Sequence, residues 1–131
     1  MSDQSEAMHV SSPNPHVWPF DRTAFREVNP GMRRRVFNGD NLSLSFWRID
    51  NGYGPTPYDG HPNNEQFGLI IAGQLDFRIG GDQRVVLGPG DVYYAPKNLA
   101  HGDSHFVGDP AHGEVWIMDI FSPVREEYRN G

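Results

Sequence analysis

Cysteine is absent from the 131 residues, which excludes disulfide bonds, thiolate metal ligands and cysteine nucleophiles. Long apolar runs are absent too, because no stretch approaches the roughly 20 residues that a membrane-spanning helix needs. The first 20 residues also lack the basic start and the apolar centre of a secretory signal. The sequence therefore predicts a cytoplasmic protein that has no membrane partner.

Positive charge is scarce as well. Eleven lysines and arginines stand against 17 aspartates and glutamates, which gives a formal net charge of −6. The only basic run is Arg33 to Arg35, and it is too short to form the basic surface that nucleic-acid binding requires. We therefore expect no nucleic-acid partner, and a small molecule is the expected substrate.

The chain divides into an arm and one domain. Residues 1–20 are polar and contain several prolines, which is typical of a flexible arm. Trp18 and Phe20 lie at its end and could anchor it onto the body or onto a second subunit. Residues 21–131 show no internal repeat and no sign of a second domain, and their length suffices for a real core.

Alternation of apolar and polar residues with a period of two dominates this domain. In residues 42–49, LSLSFWRI, the three residues Leu42, Leu44 and Phe46 share one face, and two serines lie on the other. Residues 67–73, FGLIIAG, are apolar almost throughout, which favours a strand covered on both faces.

Glycine-rich turns separate further short strands. The GGD sequence at 80–82 lies between two alternating runs and predicts a hairpin. Residues 114–121, EVWIMDIF, form the last expected strand, which Pro123 ends. No segment has a long helical period, apart from a turn near residues 122–128. Many short strands with few helices predict an all-β barrel or jelly roll.

Residues 90–105 contain Gly90, Pro96, Asn98 and His101 at a spacing that resembles the second sequence motif of the cupin superfamily. In that motif Asn98 stands in a glycine position, and asparagine tolerates the left-handed conformation that glycine usually supplies there. His105 stands in the position of a motif asparagine. The resemblance implies a single-domain cupin jelly-roll β-barrel.

Residues 54–73 resemble the first cupin motif. Counting back from Gly73 places Gln66 in the glutamate-or-glutamine position and His61 in the second histidine position. Asp59 falls in the first histidine position, and Gly54 is one residue too close to it. The resemblance implies that a metal is held by four residues: Asp59, His61, Gln66 and His101.

Two imidazoles, a carboxylate and an amide oxygen suit Fe(II), Mn(II), Ni(II), Co(II) or Zn(II), so one divalent transition metal of open identity is expected. Asp59 departs from the family histidine. It could be a ligand, a base beside the metal, or a turn residue, since Asp-Gly is a turn dipeptide. With Asp59 bound, the two histidines would match the arrangement of non-haem iron enzymes.

Asp119 shares a strand face with three apolar residues, so its carboxylate would point into the barrel, where a charge is costly without a partner. Arg125 is the expected partner, and a salt bridge closing the barrel end is one interpretation. The other follows from a narrower resemblance. Asp119, Phe121 and Arg125 occupy the D-x-F-x-x-x-R positions of small cupins that linearise unsaturated uronates in pectin and alginate breakdown.

That narrower resemblance covers most of residues 31–128 and implies a mechanism. The metal would polarise substrate oxygens as a Lewis acid. Arg125 would pair with the substrate carboxylate, and Asp119 would move a proton as general base or acid. The expected function is thus metal-dependent chemistry on a small oxygenated organic acid, with uronate ring opening as the specific hypothesis.

Two other functions stay open from the sequence. A non-haem Fe(II) dioxygenase would act on an aromatic or diketone-like substrate, for which aromatic side chains near the expected mouth are suited: Tyr53, Tyr58, Tyr93, Tyr94 and Trp116. A non-catalytic cupin would only bind a small ligand. In every case we expect a homodimer, because a small barrel has edge strands that need covering.

Overall fold

The computed structural model describes residues 14–129, and its regular secondary structure is almost all β-strand. The strands in chain order are β1 (Arg26–Asn29), β2 (Met32–Asn38), β3 (Ser43–Asp50), β4 (Tyr58–Asp59), β5 (Glu65–Ala72), β6 (Gln74–Ile79), β7 (Arg84–Leu87), β8 (Val92–Ala95), β9 (His101–Val107) and β10 (Glu114–Ser122). Two 3-10 turns, Arg22–Ala24 and Glu126–Tyr128, are the only helical elements in this range. Residues 14–129 therefore contain no helix that is long and apolar enough to cross a membrane.

The strands form two antiparallel sheets, with the orders β1-β2-β3-β10-β5-β8 and β4-β9-β6-β7. The hairpin predicted around residues 80–82 is present as β6 and β7. The last strand ends at Ser122, directly before Pro123, as expected. The prediction of an all-β jelly-roll barrel is confirmed. Residues 1–13 lie outside the described range, so the flexibility of the arm stays a prediction.

The inner face of β3 is its serine face. Ser43 and Ser45 are fully buried, whereas Leu44 and Phe46 face outward. The Ser43 hydroxyl accepts a hydrogen bond from the backbone N–H of Arg125 at 2.9 Å, and the Tyr128 hydroxyl lies 3.3 Å from Ser45 Oγ. These inward hydroxyls therefore fix the segment after β10 against the inside of the barrel.

The apolar strand β5 is covered on only one face within the chain. Gln66, Gly68 and Ile70 are buried, but Phe67 and Leu69 on the other face are 49% and 36% exposed. The prediction of a strand covered on both faces is therefore wrong for the single chain. The exposure of these two side chains shows that residues 14–129 leave the outer face of β5 largely uncovered.

The end of the arm packs on the chain's own barrel. The Phe20 ring stacks on Trp116 with centroids 5.5 Å apart, and Trp18 lies 5.3 Å from the Phe37 ring. Arg35 donates a hydrogen bond to the carbonyl of Pro19 at 2.9 Å. The sequence left open whether Trp18 and Phe20 anchor the arm onto the body or onto a second subunit. The contacts seen here are with the body.

Candidate functional site

A cavity of about 470 Å³ lies between the two sheets. Its apolar wall belongs to the barrel core, which includes Phe77 and Ile117. The six residues predicted from the sequence for metal binding and catalysis all line it: Asp59, His61, Gln66, His101, Asp119 and Arg125. The fold therefore brings both motifs and the C-terminal residues to one place.

The two motifs are joined by backbone contacts. The N–H of Asn98 donates a hydrogen bond to the carbonyl of His61 at 2.9 Å. Asn98 has φ of 68°, the left-handed conformation expected at this motif position. Gly60 approaches the same turn so closely that a Cβ would lie 2.5 Å from the Asn98 carbonyl carbon. A larger residue at 60 would therefore push the His61 loop away from the turn.

His101 and Gln66 present lone pairs to each other. The Nδ1 of His101 lies 3.1 Å from the Leu99 carbonyl oxygen, which only accepts, so we assign the ring proton to Nδ1. Nε2 is then unprotonated, yet it lies 3.1 Å from Oε1 of Gln66. Two adjacent ligands about 2.1 Å from one metal are separated by about 3.0–3.4 Å. This pair of atoms therefore fits a metal site.

His61 completes this side of the cavity. Its ring centroid lies 5.0 Å from that of His101, and its other face contacts Phe121. Burial lowers the pKa of His61 to about 4, and the nearby Arg125 charge acts in the same direction. Burial also lowers the pKa of His101. Both imidazoles are therefore neutral near pH 7, the form that binds metals.

Asp59 lies opposite His101 in the register of β4 and β9, so both side chains share a sheet face. Asp59 is nevertheless exposed. Within residues 14–129, no three histidine, aspartate or glutamate side chains come close enough together to hold a metal ion. A site here would depend on Gln66 beside the two histidines, and a ligand role for Asp59 stays a prediction.

Tyr93 connects the candidate metal ligands to the buried carboxylate. Its hydroxyl accepts a hydrogen bond from Nε2 of Gln66 at 2.8 Å and donates to Oδ1 of Asp119 at 3.2 Å. Burial raises the pKa of Asp119 to about 6, although hydrogen bonds from Tyr93 and Gln66 oppose this. Burial likewise raises the pKa of Tyr93. The hydroxyl thus stays protonated and fixes the orientation of the Gln66 amide.

Gly68 provides the space for Tyr93. The two residues are opposite in the register of β5 and β8, and a Cβ at position 68 would lie 2.1 Å from the Tyr93 ring. The ring therefore lies over the bare backbone of β5, where its hydroxyl reaches Gln66. Sequence reasoning missed this role, because only the strand register places the two residues together.

Arg125 does not form the ion pair expected with Asp119. Its Nη2 instead lies 3.1 Å from a carboxylate oxygen of Glu127, and its Nη1 is 3.5 Å from Oδ1 of Asn64. Its guanidinium also lies 4.9 Å from the centroid of the Phe121 ring. The buried Nε of Arg125 has no hydrogen-bond partner in the described part of the chain. The salt-bridge interpretation is therefore wrong.

The aromatic residues expected at the mouth are mostly elsewhere. Of the five, only Tyr93 lines the cavity. Tyr94 and Trp116 lie on the outside of the larger sheet, with Trp116 under Phe20, while Tyr53 packs on Phe106. Four of the five residues named for the dioxygenase hypothesis therefore lie away from the cavity. Sequence reasoning did not assign two further residues that line the cavity, Arg34 and Tyr128. The Arg34 guanidinium lies 4.7 Å from the centroid of the Tyr128 ring.

Comparison with known proteins agrees with this geometry. The sequence profile of the family described as "Cupin domain" matches residues 45–111, about half of the chain. The chain belongs to the cupin family. It is also 31% identical over 109 residues to the pectin degradation protein KdgF of Dickeya dadantii (strain 3937). That alignment covers 82% of this cupin and 93% of the relative.

Solved structures resemble this cupin as well. KdgF from Halomonas sp. has a TM-score of 0.68 and 27% identity, covering 79% of this chain and 88% of that one. An RmlC-like cupin from Shewanella frigidimarina has a TM-score of 0.66 at 21% identity, covering 79% and 86%. The second likeness concerns the fold alone.

Replacing Asp119 by asparagine should stabilise the metal-free protein at high pH. Because the folded-state pKa of about 6 lies above the unfolded value of 3.8, ionisation of Asp119 costs stability as pH rises through 6. Asp119→Asn should therefore gain up to about 3 kcal/mol at about pH 8, and almost nothing at about pH 4. Urea unfolding with a chelator present measures this. The exposed Asp40→Asn is the control, and an equal gain at both pH values would refute the assignment.

Gly68→Ala should displace Tyr93. The added Cβ would overlap the ring, so we expect a loss of about 1–3 kcal/mol in the free energy of unfolding. Gly81→Ala is the matched control, because no atom lies within 4 Å of a Cβ there. Urea unfolding of both variants measures the difference. Equal stability of the two would show that Tyr93 does not depend on the glycine.

Proposed function

We propose that this cupin is a metal-dependent isomerase that opens the ring of an unsaturated uronate. The observation that carries the proposal is the meeting of three groups in one cavity: the lone pairs of His101 and Gln66, the proton-carrying pair of Tyr93 and Asp119, and the guanidinium of Arg125. The 31% identity to a pectin degradation protein supports an acidic sugar as the substrate.

His61, Gln66 and His101 are the residues that would hold the metal, with Asp59 as the further candidate. A divalent transition metal bound there would supply Lewis-acid polarisation of a substrate hydroxyl or carbonyl oxygen. The histidine nitrogens and the amide oxygen are compatible with several such metals. Because burial keeps both histidines neutral, no proton competes for their lone pairs near pH 7.

Arg125 would hold the substrate carboxylate. Its backbone is fixed by Ser43, and its side chain lies against the Phe121 and Tyr128 rings, so the guanidinium is already in place before the ligand arrives. Guanidinium groups bind carboxylates through paired hydrogen bonds. One carboxylate bound at Arg125 would orient the sugar ring across the cavity toward the histidines.

Asp119 would move the proton. Ring opening removes a proton from the anomeric hydroxyl, breaks the ring carbon–oxygen bond and returns one proton to the enol carbon, so it needs neither oxidant nor water. Burial raises the pKa of Asp119 to about 6, close to the neutral pH at which it would both accept and donate. The Tyr93 hydroxyl, 3.2 Å away, would stabilise the ionised form between the two transfers.

A dioxygenase and a non-catalytic binding protein are the competing functions. Two observations favour the dioxygenase: the register places Asp59 opposite His101, and six aromatic side chains line the cavity, namely Trp47, Phe77, Tyr93, Phe106, Phe121 and Tyr128. The exposure of the Asp59 carboxylate argues against it. Oxygen consumption would identify a dioxygenase. Ligand-induced stabilisation without turnover would identify a binding protein.

The metal and the activity can be tested together. Protein without a histidine tag should carry close to one metal per chain, and His101→Ala should lose most of it. His105→Ala is the matched control on the same strand, because His105 is exposed and does not line the cavity. The metal is measured by mass spectrometry, and the reaction by loss of the ultraviolet absorbance of the unsaturated uronate.

Arg125→Met should keep the metal but raise KM by at least about tenfold, because a charge-assisted hydrogen bond to the carboxylate is lost. Asp119→Asn should mainly lower kcat. Metal-loaded protein that never consumes the uronate would refute ring opening. Protein that neither carries nor takes up metal would refute the whole catalytic proposal.

We also propose that the exposed face of β5 pairs with a second copy of the chain. Five apolar residues on β5 and β8 form this face: Phe67, Leu69, Ile71, Val92 and Tyr94. The nearly continuous apolar sequence of β5 is typical of a strand covered on both sides, and a flat sheet face is complementary to its own copy. None of these five residues is charged, which suits the association of two chains of net charge −6 each.

Leu69→Glu should therefore convert a dimer into a monomer in analytical ultracentrifugation. Val86→Glu is the control, because Val86 is 57% exposed on β7 of the other sheet. If the wild-type protein sediments as a monomer at all concentrations, or if Val86→Glu dissociates it equally, the face is not the interface.

A further inference from the structure

The strand β9 changes its inward face between its ends. In its second half, Ser104 and Phe106 are buried and His105 and Val107 are exposed, as in a regular strand. If the same alternation held toward the start of β9, His101 and Asp103 would point outward, as His105 does. His101 nevertheless lines the cavity and reaches Gln66. The backbone must therefore be irregular between residues 101 and 104.

A β-bulge lies at this point. On β6, Arg78 pairs with Gly102 and Asp76 pairs with His105, so two residues of β9 lie opposite the single residue Phe77. Gly102 has φ of 130° and Asp103 has φ of 48°. A bulge inserts one extra residue and so reverses which side chains face inward. The inward direction of His101 thus depends on the conformation of the two residues that follow it.

Asp103 is held in this conformation from outside the barrel. Its Oδ2 accepts hydrogen bonds from Nε of Arg78 at 2.9 Å and from Nη1 of Arg84 at 2.8 Å. Arg84 also donates to the Asp103 carbonyl at 2.7 Å. Two arginines from β6 and β7 therefore bind both the side chain and the backbone of one residue.

The position of Arg78 is itself restricted. Its guanidinium carbon lies 3.9 Å from the centroid of the Tyr58 ring, and the Tyr58 hydroxyl donates to the carbonyl of Gly81 at 2.8 Å. Tyr58 belongs to β4, where it pairs with Gly102 across the strands. The bulge on β9 is thus surrounded by residues of β4, β6 and β7, the other three strands of the smaller sheet.

We propose that Asp103 is a positioning residue for the metal site: the bulge that Arg78 and Arg84 hold at Asp103 turns His101 into the cavity. Asp103 touches no substrate and lies outside the barrel, so it acts only through the backbone. The expected effect of Asp103 on metal affinity rests on the proposed function, in which His101 is a metal ligand. The structural part of the proposal, the direction of the imidazole, is independent of any metal.

Two substitutions separate the backbone from the side chain. Asparagine adopts a φ near 48° readily, whereas a β-branched valine rarely does. Asp103→Asn should therefore keep the bulge and bind metal within threefold of the wild-type protein, while Asp103→Val should bind it at least tenfold more weakly. His105→Val, two residues further along the strand, is the control for valine on this surface.

An NMR signal from the His101 ring distinguishes this positioning role from a merely structural one. In the metal-free protein, its Nδ1 proton is bonded to the Leu99 carbonyl and should give a slowly exchanging NMR signal. We expect this signal in the wild type, Asp103→Asn and His105→Val, and its loss in Asp103→Val while the remaining spectrum stays that of a folded protein. If Asp103→Val keeps the signal and the affinity, the proposal is overturned.

The two proposals fail in different ways. A wild-type protein that binds no metal refutes the proposed function, but the NMR comparison still decides whether Asp103 directs His101. Conversely, an unchanged ring signal in Asp103→Val refutes the positioning role even if the uronate is consumed. Should Asp103→Val not fold, Asp103→Ala, which also disfavours a positive φ but adds no branched side chain, is measured in its place.

Discussion

The hydrogen bonds of the Tyr93 hydroxyl are the interaction on which the candidate site depends. By accepting from Nε2 of Gln66 and donating to Asp119, this hydroxyl leaves the amide oxygen of Gln66 facing His101. If the amide were reversed, its NH₂ group would donate to the imidazole, and no pair of lone pairs would remain for a metal. One phenol therefore links the metal-binding side of the cavity to its proton-carrying side.

The same cavity balances stability against reactivity. Asp119 lies on β10 between β3 and β5, where its ionisation is costly, yet the ionised carboxylate is the stronger acceptor for the Tyr93 proton. Buried groups of this kind are expected at functional sites, since a well-packed apolar residue would be more stable there. The buried serines of β3 are a similar case. In place of apolar packing they form hydrogen bonds that fix the segment containing Arg125.

Much of the candidate site was predictable because two stretches of the sequence resemble the cupin motifs. The motif positions of His61, Gln66 and His101 carry their own turn signals, such as Asn98, whose left-handed conformation the structure confirms. The fold class followed from the period of two. The roles of Gly68 and Asp103 were not predictable, because they depend on how the strands pair. Gly68 leaves room for the Tyr93 ring opposite it, and Asp103 binds two arginines on neighbouring strands.

The ion pair between Arg125 and Glu127 has a consequence for selectivity. A carboxylate of the chain itself already occupies one side of the guanidinium, and it is 60% exposed, so it can swing into solvent. If Arg125 holds the substrate carboxylate as proposed, an incoming acid would be exchanged for Glu127 rather than added to a bare cation. A neutral sugar would have no charge to offer in that exchange, so the cavity would disfavour it without any steric barrier.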